Sequence, residues 1–218
     1  MIEGSKFGKF FPSITKIPFG IELNVFKPVS DSVKKNLKKK YGLSNGFTIF
    51  FREDPSPFKG MEIIIEALLR LNIPGRINVV TVGAKNLLPR EIYKKYNVKE
   101  FGWVEKKEDI VPLYQLSDVF LMPSKAESFG VMGIESLACG TPLITRKGTA
   151  VDEITNGGAI SLVFSTLQEL IDNIMQLYSN ESERIRISKL SAKFASEHYS
   201  EDRYHRDLIS YYDFFLKS

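Results

Sequence analysis

The chain has 218 residues, of which 43% are hydrophobic and 26% are charged, a composition typical of a folded α/β domain with extensions. No apolar run reaches the roughly 18 residues of a membrane span, and the first residues lack the apolar region of a secretory signal. The net charge of +4 comes without zinc-ligand spacing or a nucleic-acid motif, which argues against nucleic-acid binding. The single cysteine, Cys139, fits a reducing compartment, and we expect a cytoplasmic protein.

Apolar runs typical of strands alternate along the chain with segments of helical periodicity. The predicted strands are 47–51, 77–82, 98–101, 119–122, 143–145 and 160–163. The predicted helices are 31–41, 59–71, 88–95, 107–116, 129–139, 166–178, 181–197 and 201–217. Such alternation predicts a parallel sheet with helices on both faces, and ligands then bind beyond the carboxyl ends of the strands.

Two of the predicted helices have unusual surfaces. Residues 34–40 contain five lysines, and charge patterning favours a solvated helix face over a patch that binds anionic membranes. The last helix, 201–217, is apolar around most of its circumference, so it is either packed on its own domain or covered by a partner. Both alternatives stay open for that helix.

Two glutamates, Glu127 and Glu135, bracket the segment that follows the predicted strand 119–122. If Phe129 opens a helix, the free N–H groups of Phe129, Gly130 and Val131 point toward the end of that strand and attract phosphate. Carboxylates repel phosphate but accept hydrogen bonds from sugar hydroxyls, so the two glutamates suit a sugar or a ribose. The alternative is one acid that favours the helix dipole and one solvated glutamate.

Two cations and a glycine lie near the ends of the first two strands. Arg52 directly follows the strand 47–51 and Lys59 precedes a helix, so together they could hold a diphosphate. By themselves, however, they are better explained as surface cations near a proline-rich loop. Gly83 ends the strand 77–82, where it permits either close approach of a bound nucleotide or simply a turn. Neither a G-x-G-x-x-G nor a Walker motif is present.

Five segments of the chain form a recognisable set: Ile17-Pro18-Phe19-Gly20-Ile21-Glu22, Phe101-Gly102-Trp103-Val104, Leu113-Tyr114, Ser117-Asp118-Val119, and Pro123-Ser124 through Glu135. Together they resemble the C-terminal, donor-binding half of retaining GT-B glycosyltransferases, the group-four family. The resemblance implies a Rossmann-like three-layer αβα half-domain. It also implies a nucleotide-binding body at 29–200, between a linker-like segment at 1–28 and an aromatic helix at 201–218.

The resemblance also implies roles for the candidate residues. Glu127 would contact the transferred sugar and Glu135 the nucleotide ribose. The backbone of Phe129, Gly130 and Val131 would lie against the sugar and diphosphate. Arg52 and Lys59 would neutralise the leaving diphosphate, so neither a divalent metal nor another cofactor is expected.

The implied partners are a UDP- or GDP-sugar donor and an N-terminal acceptor-binding domain or subunit, without which turnover would be weak. One departure is Phe51, which stands where the family usually has glycine, and its bulk is expected to alter the approach of phosphate. Phe51 and the aromatic last helix favour a second function class, a non-catalytic binding or scaffold module. A third, weaker alternative is a sugar-nucleotide epimerase of the same fold.

Overall fold

The structure is a computed structural model that describes residues 15–216. Within that range the chain forms six strands and nine helices. The strands are β1 (Thr48–Glu53), β2 (Asn78–Gly83), β3 (Asn97–Glu100), β4 (Val119–Met122), β5 (Leu143–Arg146) and β6 (Leu162–Phe164). The helices are α1 (Asp31–Lys40), α2 (Met61–Arg70), α3 (Arg90–Lys95), α4 (Lys107–Leu116), α5 (Val131–Ala138), α6 (Ala150–Ile154), α7 (Leu167–Ser179), α8 (Glu181–His198) and α9 (Glu201–Leu216).

The strands form one sheet in the order β3-β2-β1-β4-β5-β6, and every pair is parallel. Helices cover both faces, so the predicted Rossmann-like three-layer fold is confirmed. The chain winds outward in one direction from β1 and in the other from β4. In such sheets the crevice between these two strands, outside their carboxyl ends, is the usual ligand site.

The central strand β1 is buried on both faces, so its side chains alternate between two apolar clusters. Phe50 packs beside Tyr114 and Phe120 on one face. Phe51 is fully buried in the cluster on the other face. The prediction that its bulk alters the approach of phosphate is therefore wrong, because this side chain is directed into the core.

The lysine-rich helix α1 is tied to the body of the domain by a buried carboxylate. Lys34 Nζ lies 2.8 Å from Asp118 Oδ1, and Lys38 Nζ lies 2.9 Å from Asp118 Oδ2. Burial lowers the pKa of Lys38, which is only 5% exposed. Although burial alone would raise the pKa of Asp118, Lys34 and Lys38 hold it below its usual value. The interpretation of the run as a solvated face is wrong for these two lysines.

The segment before α1 packs against the junction of α8 and α9. The Ile21 N–H donates to the Tyr199 carbonyl at 2.8 Å, and the Phe26 side chain is buried. The first turn of α9 packs here too, with the Tyr204 ring 5.8 Å from that of Phe19. Farther along α9, apolar side chains such as Tyr212 are exposed. Residues 1–14 of the predicted linker and 217–218 of the predicted last helix lie outside the described residues.

No helix within residues 15–216 combines the length and the apolar character needed to cross a bilayer.

Candidate functional site

Two helices begin beside the loop that follows β4, and each begins after a glycine in the left-handed region. Gly60 precedes α2 with φ of +73°, and Gly130 precedes α5 with φ of +91°. A Cβ on Gly60 would lie 2.5 Å from the Pro123 carbonyl oxygen, so the start of α2 packs directly on that loop. Neither helix start receives a side-chain cap.

The start of α5 differs from the prediction by two residues. The helix begins at Val131, whereas Phe129 and Gly130 belong to the preceding loop. The Gly133 N–H already donates to the Gly130 carbonyl at 2.9 Å, which leaves Val131 and Met132 to present the first N–H groups of the helix. The anion-attracting end of α5 is therefore made by these two residues.

A cleft of about 250 Å³ lies at the carboxyl ends of β1 and β4. Six of the eight predicted site residues line it: Arg52, Lys59, Glu127, Phe129, Gly130 and Val131. The ring of Phe19, from the segment before α1, also lines the cleft and lies 5.2 Å from the Phe129 ring. The structure thus brings together predicted site residues that are up to 79 positions apart in the chain, from 52 to 131.

The two predicted cations are held by different partners. Lys59 Nζ lies 2.6 Å from Glu127 Oε2, so two candidate groups of opposite charge pair across the cleft. Arg52 lies inside β1 rather than after it, and its Nη2 is 3.0 Å from Asp54 Oδ2. The Arg52 guanidinium also lies 4.9 Å from the centre of the Trp103 ring. Its buried Nε has no hydrogen-bond partner among the described residues.

Asp54 and Trp103 were missed as site residues. Asp54 orients Arg52, and Trp103 covers the guanidinium while its own side chain is 70% exposed. The sequence does not show that this tryptophan is exposed, so it held no signal for the contact between Trp103 and Arg52.

Glu135 does not line the cleft; it lies one helical turn farther along α5. The Tyr114 hydroxyl donates to Glu135 Oε2 at 2.8 Å. Burial raises the pKa of Glu135, whereas the Tyr114 hydroxyl and the charge of Lys107 act to lower it. Tyr114 was also missed, because the contact joins two helices 21 positions apart.

Gly83, the eighth predicted residue, also lies outside the cleft. A Cβ at this position would collide with the carbonyl oxygen of Glu53 on the neighbouring strand, and its φ is +100°. Packing between β1 and β2 therefore accounts for this glycine without a ligand.

The same edge of the sheet holds a pair of carboxyl groups, of which one is buried. Glu53 is inaccessible to solvent, accepts a hydrogen bond from Thr81 Oγ1 at 2.6 Å, and pairs with Glu100. Burial, assisted by Glu100, raises the pKa of Glu53 to about 7.

Across residues 15–216 no cluster of three or more histidine, cysteine or acidic side chains could hold a metal ion. Independence from metal stays a prediction.

A family model for glycosyl transferases group 1 matches residues 33–194. Among curated proteins, the D-inositol 3-phosphate glycosyltransferase of Corynebacterium urealyticum is 25% identical over 209 residues. That match covers 88% of this chain and 49% of the relative, so the chain spans about half the length of that protein.

Solved structures agree with the fold. HepE from Anabaena, in complex with UDP and glucose, has a TM-score of 0.76 and 22% identity, covering 89% of this chain and 55% of HepE. The C-terminal domain of LpcC, a glycosyl transferase group 1 family protein from Francisella tularensis, has a TM-score of 0.69 and 19% identity. That match covers 83% of this chain and 99% of the LpcC domain. These matches confirm the prediction that the chain is a GT-B half-domain.

Proposed function

Because this chain belongs to the glycosyl transferases group 1 family, we propose that it is the donor-binding domain of a retaining glycosyltransferase that uses a nucleoside-diphosphate sugar. The sugar would pass to an acceptor hydroxyl. A cytoplasmic location is part of this proposal, supported by the single buried cysteine.

The observation that carries the proposal is the convergence of Arg52, Lys59 and the start of α5 on one cleft. Negative charge grows on the diphosphate as the bond to the sugar breaks. Fixed cations and unpaired N–H groups stabilise that charge, and a single preorganised donor is worth about 3–4 kcal/mol in comparable sites. Neutralisation by these groups is our reason for assigning no divalent metal.

The carboxylates are assigned to hydroxyl groups. Glu127 lines the cleft beside Lys59 and would accept hydrogen bonds from the transferred sugar. Glu135, one turn farther along α5, would hold the ribose of a UDP or GDP moiety. The anomeric configuration of the sugar would be retained because the acceptor hydroxyl would attack on the face from which the diphosphate leaves. No protein nucleophile is assigned.

The acceptor side of the reaction is assigned to a second domain or subunit. This chain spans 49% of the D-inositol 3-phosphate glycosyltransferase and 55% of HepE, which supports an additional N-terminal half in the working enzyme. The chain by itself would then bind nucleotide but turn over sugar poorly.

Calorimetric titration of the chain with UDP and with GDP tests the proposal. We expect binding of one of them, and we expect Lys59→Gln to weaken it roughly tenfold, because a charge-assisted contact to the diphosphate is lost. Lys193→Gln, a change at an exposed lysine of α8, is the matched control and should bind like the wild type. Failure of both nucleotides to bind at millimolar concentration would refute the proposal.

The second candidate is a non-catalytic binding module, favoured by the exposed apolar end of α9, where Ile209 and Tyr212 face solvent. Glu135→Ala separates the two functions. The glycosyltransferase proposal expects this change to reduce nucleotide affinity, and the binding-module alternative expects no change.

A further inference from the structure

A second cleft, of about 1030 Å³, opens at the amino ends of β1, β2 and β3. It lies on the edge of the sheet opposite the cleft at the carboxyl ends of β1 and β4, which we call the donor cleft after its proposed function. Four cations from three parts of the chain line the second cleft: Lys35 and Lys39 of α1, Arg76 of the loop before β2, and Lys95 of α3. Its lining includes asparagines and a serine but no carboxylate. The potential in this cleft is therefore positive, with neutral hydrogen-bond donors between the charges.

A buried side chain behind the lining of the cleft supports its walls. Asn78 is inaccessible to solvent, and its Oδ1 accepts hydrogen bonds from the Ser44 N–H at 3.1 Å and from Asn97 Nδ2 at 3.0 Å. Its Nδ2 donates in turn to the Ser44 carbonyl at 3.0 Å. Ser44 and Asn97 both line the cleft, so this network positions the walls before any ligand arrives.

Ion pairs among the described residues leave three of the cations in this cleft without a counter-charge. The inner lysines of α1, Lys34 and Lys38, are both paired with Asp118. In the described part of the chain, Lys35, Lys39 and Arg76 have no carboxylate within ion-pair distance. These three side chains are available to a ligand.

Only some of the four cations in this cleft can be explained as stabilising the negative end of a helix dipole. Lys95 Nζ donates to the Leu68 and Leu69 carbonyls at 3.0 and 2.8 Å, at the carboxyl end of α2, which is the place where a cation is favoured. Lys35 lies in the middle of α1, and Arg76 lies in a loop, so neither has a helix end to stabilise.

We propose that this cleft binds a small soluble ligand that carries two or more phosphate groups. Lys35, Lys39 and Arg76 pair with the phosphate oxygens, and the guanidinium of Arg76 offers a two-pronged contact. The walls of the cleft suit a compact anion that enters the cleft, whereas a flat bilayer would meet only its rim. The site is separate from the donor cleft and does not depend on the proposed function.

Nuclear magnetic resonance with inorganic pyrophosphate as the probe tests this site residue by residue. We expect the amide signals of Gly42, Ser44 and Asn97 to shift on titration, independently of any shifts at Gly130 and Val131 in the donor cleft. The double change Lys39→Gln with Arg76→Gln should weaken binding at the first set roughly five- to tenfold, since two exposed charge contacts are lost.

The matched control removes the same charge elsewhere, at exposed positions of α8 and α9, by Lys193→Gln with Arg206→Gln. This control should leave unchanged the affinity for pyrophosphate that is measured from the amide shifts of Gly42, Ser44 and Asn97. An equal loss in the control double variant would show a general charge effect and overturn the proposal, as would the absence of shifts at these amides.

Sedimentation with vesicles separates the two sources of phosphate. Vesicles of phosphatidylcholine with phosphatidylglycerol offer lipid phosphate, and vesicles of phosphatidylcholine alone are the control. Binding to the anionic vesicles without pyrophosphate binding at the cleft would overturn the proposal in favour of a membrane surface. Pyrophosphate binding without vesicle binding would support it.

Discussion

A carboxyl group without solvent access ends β1, and its protonation links stability to pH. Glu53 has a pKa raised from 4.5 to about 7 by burial, with Glu100 as its neighbour. The folded state therefore holds a proton that the unfolded state releases near pH 4.5. This contribution to stability is fully present below pH 4.5 and is lost as pH rises toward 7.

We expect the free energy of unfolding to fall by about 2–3 kcal/mol between pH 4.5 and pH 7 because of this pair. Glu53→Gln keeps the size of the side chain but removes its titration, so the decrease should disappear from urea unfolding measured across that range. Glu105→Gln, at an exposed position, should retain the wild-type dependence on pH. The same decrease in Glu53→Gln would show that another group is responsible.

At the scale of elements, the two helix starts beside the donor cleft need glycine for different reasons. A Cβ on Gly130 would meet its neighbours at 3.5 Å, which is ordinary contact, so only the left-handed backbone requires the glycine. At Gly60 the same backbone requirement is joined by a clash with the Pro123 carbonyl. The start of α2 is therefore the less tolerant of the two.

We expect Gly130→Ala to destabilise the protein by about 1–2 kcal/mol, the cost of a left-handed alanine. Gly60→Ala should cost more, because α2 must move away from the loop after β4. Urea unfolding of both variants measures the difference. A larger loss for Gly130→Ala would contradict the packing described for these two helix starts.

At the scale of the whole molecule, Asp118, which lies just before β4, joins three other elements. It pairs with Lys34 and Lys38 of α1, accepts the Thr48 N–H of β1 at 2.8 Å, and lies 3.6 Å from Arg184 of α8. Because its pKa is lowered in the folded state, its contribution to stability is present above its unfolded pKa and is lost as pH falls through the folded value.

We expect Asp118→Asn to reduce the free energy of unfolding by about 3–5 kcal/mol at neutral pH, because the Lys38 ammonium stays buried without a counter-charge. Lys34→Gln, which removes the more exposed partner, should cost about 1 kcal/mol or less. Adding Lys38→Met to Asp118→Asn should restore part of the loss. If Asp118→Asn cost no more than Lys34→Gln in urea unfolding, Asp118 would not be the link between these elements.

The sheet was predictable because strand-like and helical segments alternate along the chain. Arg52, Lys59 and Glu127 do line one cleft at the carboxyl ends of β1 and β4, whereas their roles stay predictions. The short helix α6 was missed because five residues are too few to display a helical period.

The features that could not be predicted depend on the sign of the φ angle at single residues and on contacts between residues far apart in the chain. The sequence contains Gly130, but only its positive φ moves the start of α5 to Val131. A strand buried on both faces has no polar alternation, so nothing in the sequence indicated which way Phe51 points. The partner of Lys38 lies 80 positions away, beyond any local pattern.

The ion pair between Lys59 and Glu127 couples the binding of the two parts of a sugar donor, the diphosphate and the sugar. In the free protein each of these groups satisfies the other at 2.6 Å. On the proposed roles, an anion that takes Lys59 releases Glu127 as an acceptor for hydroxyl groups. Binding of a diphosphate would then raise the affinity for a sugar, and by thermodynamic reciprocity the sugar would raise the affinity for the diphosphate. The cleft would favour the intact donor over either fragment alone.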